Sequence, residues 1–100
     1  MLADNIKQEI ITELKTIQPN WIGVFGSYAR DEENDESDID IMIQLGDIIP
    51  SIFKFSEIQH RISNKIGKKL DLVTDEQIKN KILKKIILRD LSIIYNHEEI

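Results

Sequence analysis

The sequence contains no cysteine, which excludes disulfide bonds, zinc sites built from thiolates and cysteine nucleophiles. Its two histidines, His60 and His97, are too isolated to suggest a metal cluster. Uninterrupted apolar runs such as residues 86–88 are far shorter than the roughly 18 to 20 residues of a membrane span. Asp4 and Glu9 stand where a signal peptide would be basic and then apolar. We therefore expect a cytoplasmic protein without a membrane partner, whose metals, if any, prefer oxygen ligands.

What the sequence does contain is isoleucine, at 21 of its 100 positions. Apolar residues make up 41% of the chain and charged residues 31%. This composition supplies enough apolar surface for one compact, two-layer core and little more. The prediction is a single domain spanning residues 1–100.

Charge is distributed unevenly between the two halves of the chain. Residues 1–50 carry eleven acids and three bases, whereas residues 51–100 carry seven acids and ten bases. Seven of the ten residues from 31 to 40 are acidic. Such a segment repels a phosphate backbone unless divalent cations intervene, so no direct nucleic-acid partner is expected.

The spacing of apolar residues predicts alternating helices and strands. Helices are expected from a cap at Asp4 to Pro19 and Asn20, from a cap at Ser51 to Gly67, and from a cap at Thr74 or Asp75 through Ile87. Strands are expected at residues 21–25, 38–45, 69–73 and, along an edge, 92–95. This order predicts an α/β (α+β) fold: a small mixed sheet of three to four strands flanked by helices, which we expect on one side. Trp21 and Phe25 are expected in the core.

Gly26 and Ser27 stand where the first strand turns into a helical start. Backbone N–H groups converge at such a turn, and glycine allows a phosphate to approach the main chain closely. The Ser27 hydroxyl adds a donor. Taken alone, a glycine and serine after a strand are more often only a turn.

Ten residues later, Asp38 and Asp40 stand two apart on one predicted strand. Their side chains are expected on the same face, with Cα atoms roughly 6 to 7 Å apart. Asp71, opposite the apolar face of another predicted strand, is the natural third carboxylate. Paired Mg²⁺ ions that serve phosphoryl transfer need such carboxylates. A lone pair of this kind is most often a solvated strand face, so the whole spacing carries the argument.

That spacing, Gly26 and Ser27, ten residues, then Asp38, Ile39 and Asp40, resembles the signature of nucleotidyltransferases of the polymerase beta superfamily, in its minimal branch. The resemblance implies that Gly26 and Ser27 hold the triphosphate of ATP. It implies that Asp38 and Asp40 bind Mg²⁺ and that Asp71 completes the catalytic metal site for the incoming hydroxyl. Arg30 can pair with the triphosphate or, equally well, form a salt bridge to the acidic loop. Many relatives have glycine directly after this arginine, where this chain has Asp31.

Larger members of the superfamily carry an added helical domain that grips the acceptor, and we expect none in this chain. The acceptor platform is then expected from another protein or from self-association, and the chain resembles the antitoxin half of HEPN and minimal nucleotidyltransferase toxin–antitoxin pairs. The resemblance implies transfer of AMP from ATP, with two Mg²⁺ ions, to a tyrosine hydroxyl of a HEPN ribonuclease toxin in a hetero-oligomer. Two alternatives stay open: an antitoxin that only masks the toxin surface, and a nucleotidyltransferase acting on a small molecule such as an antibiotic.

Overall fold

The computed structural model describes residues 2–97, which form a four-stranded sheet flanked by three α-helices. The helices are α1 (Asp4–Leu14), α2 (Ile52–Ile66) and α3 (Lys81–Asp90), and the strands are β1 (Trp21–Phe25), β2 (Ile39–Gln44), β3 (Leu70–Thr74) and β4 (Ser92–Asn96). The strand order is β3-β2-β1-β4. β1 is antiparallel to both of its neighbours, and β2 is parallel to β3. The predicted fold class and mixed sheet are confirmed, and the single domain over residues 1–100 stays a prediction.

One face of the sheet carries the main apolar core. Strand alternation places the buried aliphatic side chains of β1, β2 and β3 on this face, where α1 and α2 cover them. α1 contributes Ile10 and Leu14, and α2 contributes Ile58 and Ile62, all four fully buried. α2 begins and ends as predicted, because the Ser51 hydroxyl accepts from the Lys54 N–H and Gly67 adopts a left-handed conformation (φ +68°).

α1 and α2 are also joined by a charge cluster around Glu13, which is 7% exposed. Its carboxylate accepts from Lys65 Nζ at 2.5 Å and from Arg61 Nη1 at 3.3 Å. The hydrogen bond from Lys65, supported by that from Arg61, lowers the pKa of Glu13 although burial opposes the shift. The negative charge on this side of the molecule is therefore compensated within the protein.

The third helix lies on the other face, so the prediction of helices on one side was wrong. Leu91, which follows α3, packs against Gly23 of β1, where an added Cβ would lie 2.6 Å from Leu91 Cδ1. Strand alternation places Gly23 on the opposite face from its neighbours Ile22 and Val24, whose side chains are buried in the core. Within the described residues, no side chain of α3 belongs to the apolar core cluster. Trp21 and Phe25 share the Gly23 face and are only half-buried, so their assignment to the core was also wrong.

The remaining differences concern where elements begin. α1 begins at Asp4 itself, with Ala3 as its N-cap. Thr74 caps a short 3-10 turn, Asp75–Gln77, and α3 begins only at Lys81, where the Asn80 side chain accepts from two backbone N–H groups. The last predicted helix therefore started too early, because the chain contains two successive capping signals. No helix within residues 2–97 combines the length and apolar character that crossing a membrane requires.

Candidate functional site

The predicted nucleotide turn lies at the end of the sheet where β1 ends and β2 begins. Phe25 is the register partner of Asp40, so Gly26 follows directly beside that aspartate. Gly26 has φ +74°, and a Cβ at this position would overlap the Asp40 carboxylate. The turn Gly26–Tyr28 closes with the N–H groups of Ala29 and Arg30 donating to the Gly26 carbonyl at 3.1 and 3.2 Å. Both the conformation and the close approach therefore require glycine here.

The second and third predicted carboxylates meet across the parallel pair of strands. Asp40 of β2 and Asp71 of β3 are register partners, so both side chains lie on the face opposite the main core. Asp40 is half-buried and Asp71 is exposed. Parallel pairing thus brings together two residues that are far apart in the sequence.

Asp38 differs from the prediction because β2 begins one residue after it, at Ile39. The same-face argument from strand alternation therefore does not extend to Asp38. Its carboxylate lies 3.8 Å from Lys69 Nζ, just before β3. The backbone joins the same two segments, since the Ile39 N–H donates to the Lys69 carbonyl at 3.0 Å.

The charge at this site is not balanced. Burial raises the pKa of Asp40, and the carboxylates of Asp71 and Asp38 raise that pKa further, while Arg30 opposes the shift. Within residues 2–97, no three histidine or acidic side chains converge closely enough to form a ready metal site. The donor set nevertheless suits a hard divalent cation, because it consists of neighbouring carboxylates whose negative charge the protein leaves partly uncompensated.

Arg30 forms two ion pairs in this structure. Its Nε lies 3.1 Å from Glu32 Oε2, and its Nη1 lies 3.3 Å from Asp90 Oδ2 at the end of α3. The salt bridge to the acidic loop, one of the two predicted alternatives, is present. The bridge to Asp90 joins residues that are 60 positions apart, and sequence analysis missed it.

Asp90 and Lys69 are the two site neighbours that were not predicted. Asp90 carried a weak signal, since it is the one acid among residues 78–91, which are otherwise apolar, basic or amide-bearing. Lys69 carried none beyond its place two residues before Asp71. Ser27 lies half-buried in the turn beside Gly26, as expected from the sequence.

Comparison with known families gives one match over most of the chain. The family model described as polymerase beta nucleotidyltransferase matches residues 8–100. A Methanocaldococcus jannaschii protein assigned to the protein adenylyltransferases is 44% identical over 70 residues, which is 70% of each chain. The protein adenylyltransferase MntA of Thermococcus cleftensis is 39% identical over 66 residues, which is 66% of each chain.

Solved structures share this fold at lower sequence identity. A toxin–antitoxin complex with AMP-PNP contains a chain that matches with a TM-score of 0.76 and 21% identity, over 93% of this chain and 75% of that one. A complex of a tri-AMPylated Shewanella oneidensis HEPN toxin with its MNT antitoxin matches with a TM-score of 0.69 and 20% identity, over 95% and 73% of the two chains. At these identities the likeness concerns the fold.

Proposed function

The chain belongs to the polymerase beta nucleotidyltransferase family, and on that premise we propose that it transfers AMP from ATP to a tyrosine hydroxyl of a HEPN-type toxin. One observation carries the proposal: Gly26 lies against the Asp40 carboxylate, which is in register with Asp71. The relatives that are protein adenylyltransferases support a protein acceptor. The similarity to chains of toxin–antitoxin complexes, one of them with a tri-AMPylated toxin, supports the choice of a toxin as that acceptor.

The nucleotide would be held by the turn after β1. Gly26 and Ser27 bind the triphosphate at this turn, where the glycine allows the main chain to lie directly against the Asp40 carboxylate. Arg30 supplies a positive charge near Asp40, which partly opposes the rise in the pKa of that carboxyl caused by burial and by Asp71 and Asp38. We expect Arg30 to exchange part of its contact with Glu32 for the triphosphate when ATP binds.

Asp38, Asp40 and Asp71 would hold two Mg²⁺ ions, whose charge offsets that of the triphosphate and of the leaving pyrophosphate. Asp71 is exposed, so an acceptor hydroxyl from another protein can reach it. With Asp71 assisting removal of the proton, the acceptor oxygen forms a bond to the α-phosphorus. The bond from that phosphorus to the oxygen bridging the α- and β-phosphates breaks, and pyrophosphate leaves. Because ATP is the proposed substrate and the chain has no cysteine, we propose a cytoplasmic location.

Calorimetry tests the nucleotide site. ATP titrated into the protein should bind in the presence of Mg²⁺ and bind far more weakly in EDTA, because three carboxylates repel an uncompensated triphosphate. Asp40→Asn should weaken the Mg²⁺-dependent component. Equal affinity with and without Mg²⁺ would contradict the proposed metal site.

Intact-mass spectrometry tests the transfer. A HEPN-type toxin is incubated with substoichiometric enzyme, ATP and Mg²⁺, and then weighed. We expect the mass of the whole HEPN pool to increase by one or more AMP units, and its ribonuclease to stay silent after the enzyme is removed. Asp40→Asn is the negative control. Inhibition that tracks stoichiometry and leaves the HEPN mass unchanged would instead establish masking.

A further inference from the structure

α3 is an amphipathic helix with four apolar side chains that are exposed to solvent. Ile82 is 74% exposed, Leu83 47%, Ile86 45% and Leu88 44%. By contrast, the buried isoleucines of α2 are inaccessible to solvent. An exposed apolar surface on a folded chain commonly marks a protein interface.

The residues of α3 form two neighbouring stripes. Residues four apart lie on the same side of a helix, so Ile82 and Ile86 form an apolar stripe. Lys81, Lys85 and Arg89 form a basic stripe beside it by the same spacing. Among the ion pairs within residues 2–97, neither Lys81 nor Lys85 takes part, and Arg89 contacts only its neighbour Asp90, at 4.0 Å. The basic stripe therefore has positive charge available to a partner.

The helix runs toward the proposed catalytic site. It follows β3 at the far end of the sheet and leads into Ser92, the register partner of Val24, at the end where Gly26 lies. Its last residue, Asp90, is ion-paired with Arg30 of the nucleotide turn. α3 also shares its sheet face with Asp40 and Asp71, because Leu91 packs on the Gly23 side. A protein lying along α3 therefore borders the exposed carboxylate.

We propose that α3 is the docking surface for the protein acceptor, through the apolar stripe Ile82 and Ile86 and the basic stripe Lys81, Lys85 and Arg89. This inference rests on the proposed function. The occupant is a HEPN-type protein whose surface carries an apolar patch edged by acidic side chains, since the basic stripe calls for carboxylates. RNA fits less well, because the acidic segment at residues 31–40 leads into the same site and repels a phosphate backbone.

The test compares two exposed apolar sites, one on α3 and one on α2. Ile82→Glu with Ile86→Glu should weaken binding of a HEPN-type toxin by about 30-fold or more, since a charge at the centre of an interface removes a main anchor. The kcat/KM for AMP transfer should fall by a similar factor, with Mg²⁺-ATP affinity and Tm unchanged. Phe53→Glu is the control, because Phe53 is 84% exposed at the start of α2, at the end of the sheet away from the site. It should leave binding and transfer unchanged.

A second variant tests the charge argument. Lys81→Glu with Lys85→Glu should weaken binding and reduce its dependence on salt concentration. If these charge reversals affect only the binding of a single-stranded RNA oligonucleotide, the surface is a nucleic-acid site and the proposal is overturned. Undiminished HEPN binding by the Ile82 and Ile86 variant, or equal loss in the Phe53 control, would also overturn it.

Binding is measured in the absence of ATP and with Asp40→Asn, so that docking and chemistry are separated. If the wild type transfers AMP but the α3 variants bind the toxin undiminished, the docking surface is refuted and the proposed function stands. If the toxin binds through α3 but no AMP is transferred, the proposed function is refuted and the docking surface stands.

Discussion

The two faces of this sheet use the same residue type for different purposes. Under α1 and α2, isoleucines such as Ile41 and Ile58 are completely buried and form the core. On the other face, Ile82 and Ile86 of α3 remain exposed beside strands that carry aspartates. An isoleucine-rich composition therefore does not by itself indicate stability, because an isoleucine stabilises the fold only where its side chain is buried.

Charge shows the same contrast. Glu13 on the core side accepts hydrogen bonds from Lys65 and Arg61, and its pKa is lowered. Asp40 on the site side is partly buried beside two further carboxylates, and its pKa is raised. The core side compensates its charge internally, whereas the site side keeps charge available for a ligand.

The largest expected effect separates the two kinds of isoleucine. Ile58→Ala in α2 should lower the free energy of unfolding by about 3 to 4 kcal/mol, because it leaves a cavity in a close-packed core. Ile86→Ala in α3 should change the free energy of unfolding by less than about 0.5 kcal/mol. Urea denaturation measures both. A comparable loss in the two variants would show that α3 contributes to the core after all.

Gly26 and Gly67 both have positive φ, so alanine substitutions at the two positions differ only in what the added methyl group contacts. Gly26→Ala should cost about 2 to 3 kcal/mol of stability and abolish ATP binding. The new methyl group would clash with the Asp40 carboxylate, and alanine would be strained at this positive φ. Gly67→Ala is the matched control: its φ is +68° and nothing lies within 4 Å of the added methyl. It should cost only about 1 kcal/mol. Denaturation and calorimetry report the two effects, and equal costs would refute the role of the carboxylate contact.

The core-side charge cluster predicts a dependence on pH. Because the pKa of Glu13 is lowered from its ordinary value of 4.5, its contribution to stability is fully present above that value and is lost as the pH falls through the folded-state pKa. Glu13→Gln should therefore be less stable than wild type at pH 7 by about 1 to 2 kcal/mol, a figure reduced for its half-exposed partners. The gap should narrow as the pH falls below 4.5 and Glu13 becomes protonated. A gap that is constant down to pH 3 would contradict the ion-paired state.

The smallest expected effect is a gain in stability rather than a loss. Asp40→Asn should raise stability in EDTA at pH 7 by less than about 1 kcal/mol, because it removes a partly buried charge beside two carboxylates. Asp38→Asn should leave the fold intact with less gain, since Asp38 faces Lys69. Thermal melts decide between the outcomes. A loss of several degrees in both variants would identify the aspartates as structural.

Local patterns in the sequence were sufficient for most elements and for placing Asp40 and Asp71 on the strand faces opposite their apolar neighbours. The alternation through β2 and β3 predicts which side chains share a face, and Ser51 and Gly67 mark the ends of α2. Other features depend on contacts between distant segments. The sheet face that α3 chooses depends on Leu91 meeting Gly23. The Arg30 and Asp90 pair exists only because α3 ends beside the nucleotide turn, and an amphipathic pattern does not encode that direction.

The parallel register between β2 and β3 also protects the chain against alternative pairings. A slip of one residue would turn Asp71 toward the apolar layer and expose Leu70 and Leu72, which are now buried. Misregistered forms would therefore carry an unpaired charge in the core and lose two aliphatic anchors at once. The spacing of Asp40 and Asp71 is thus set by the strand register, and changes in the length of the segment between α2 and β3 should leave that spacing intact.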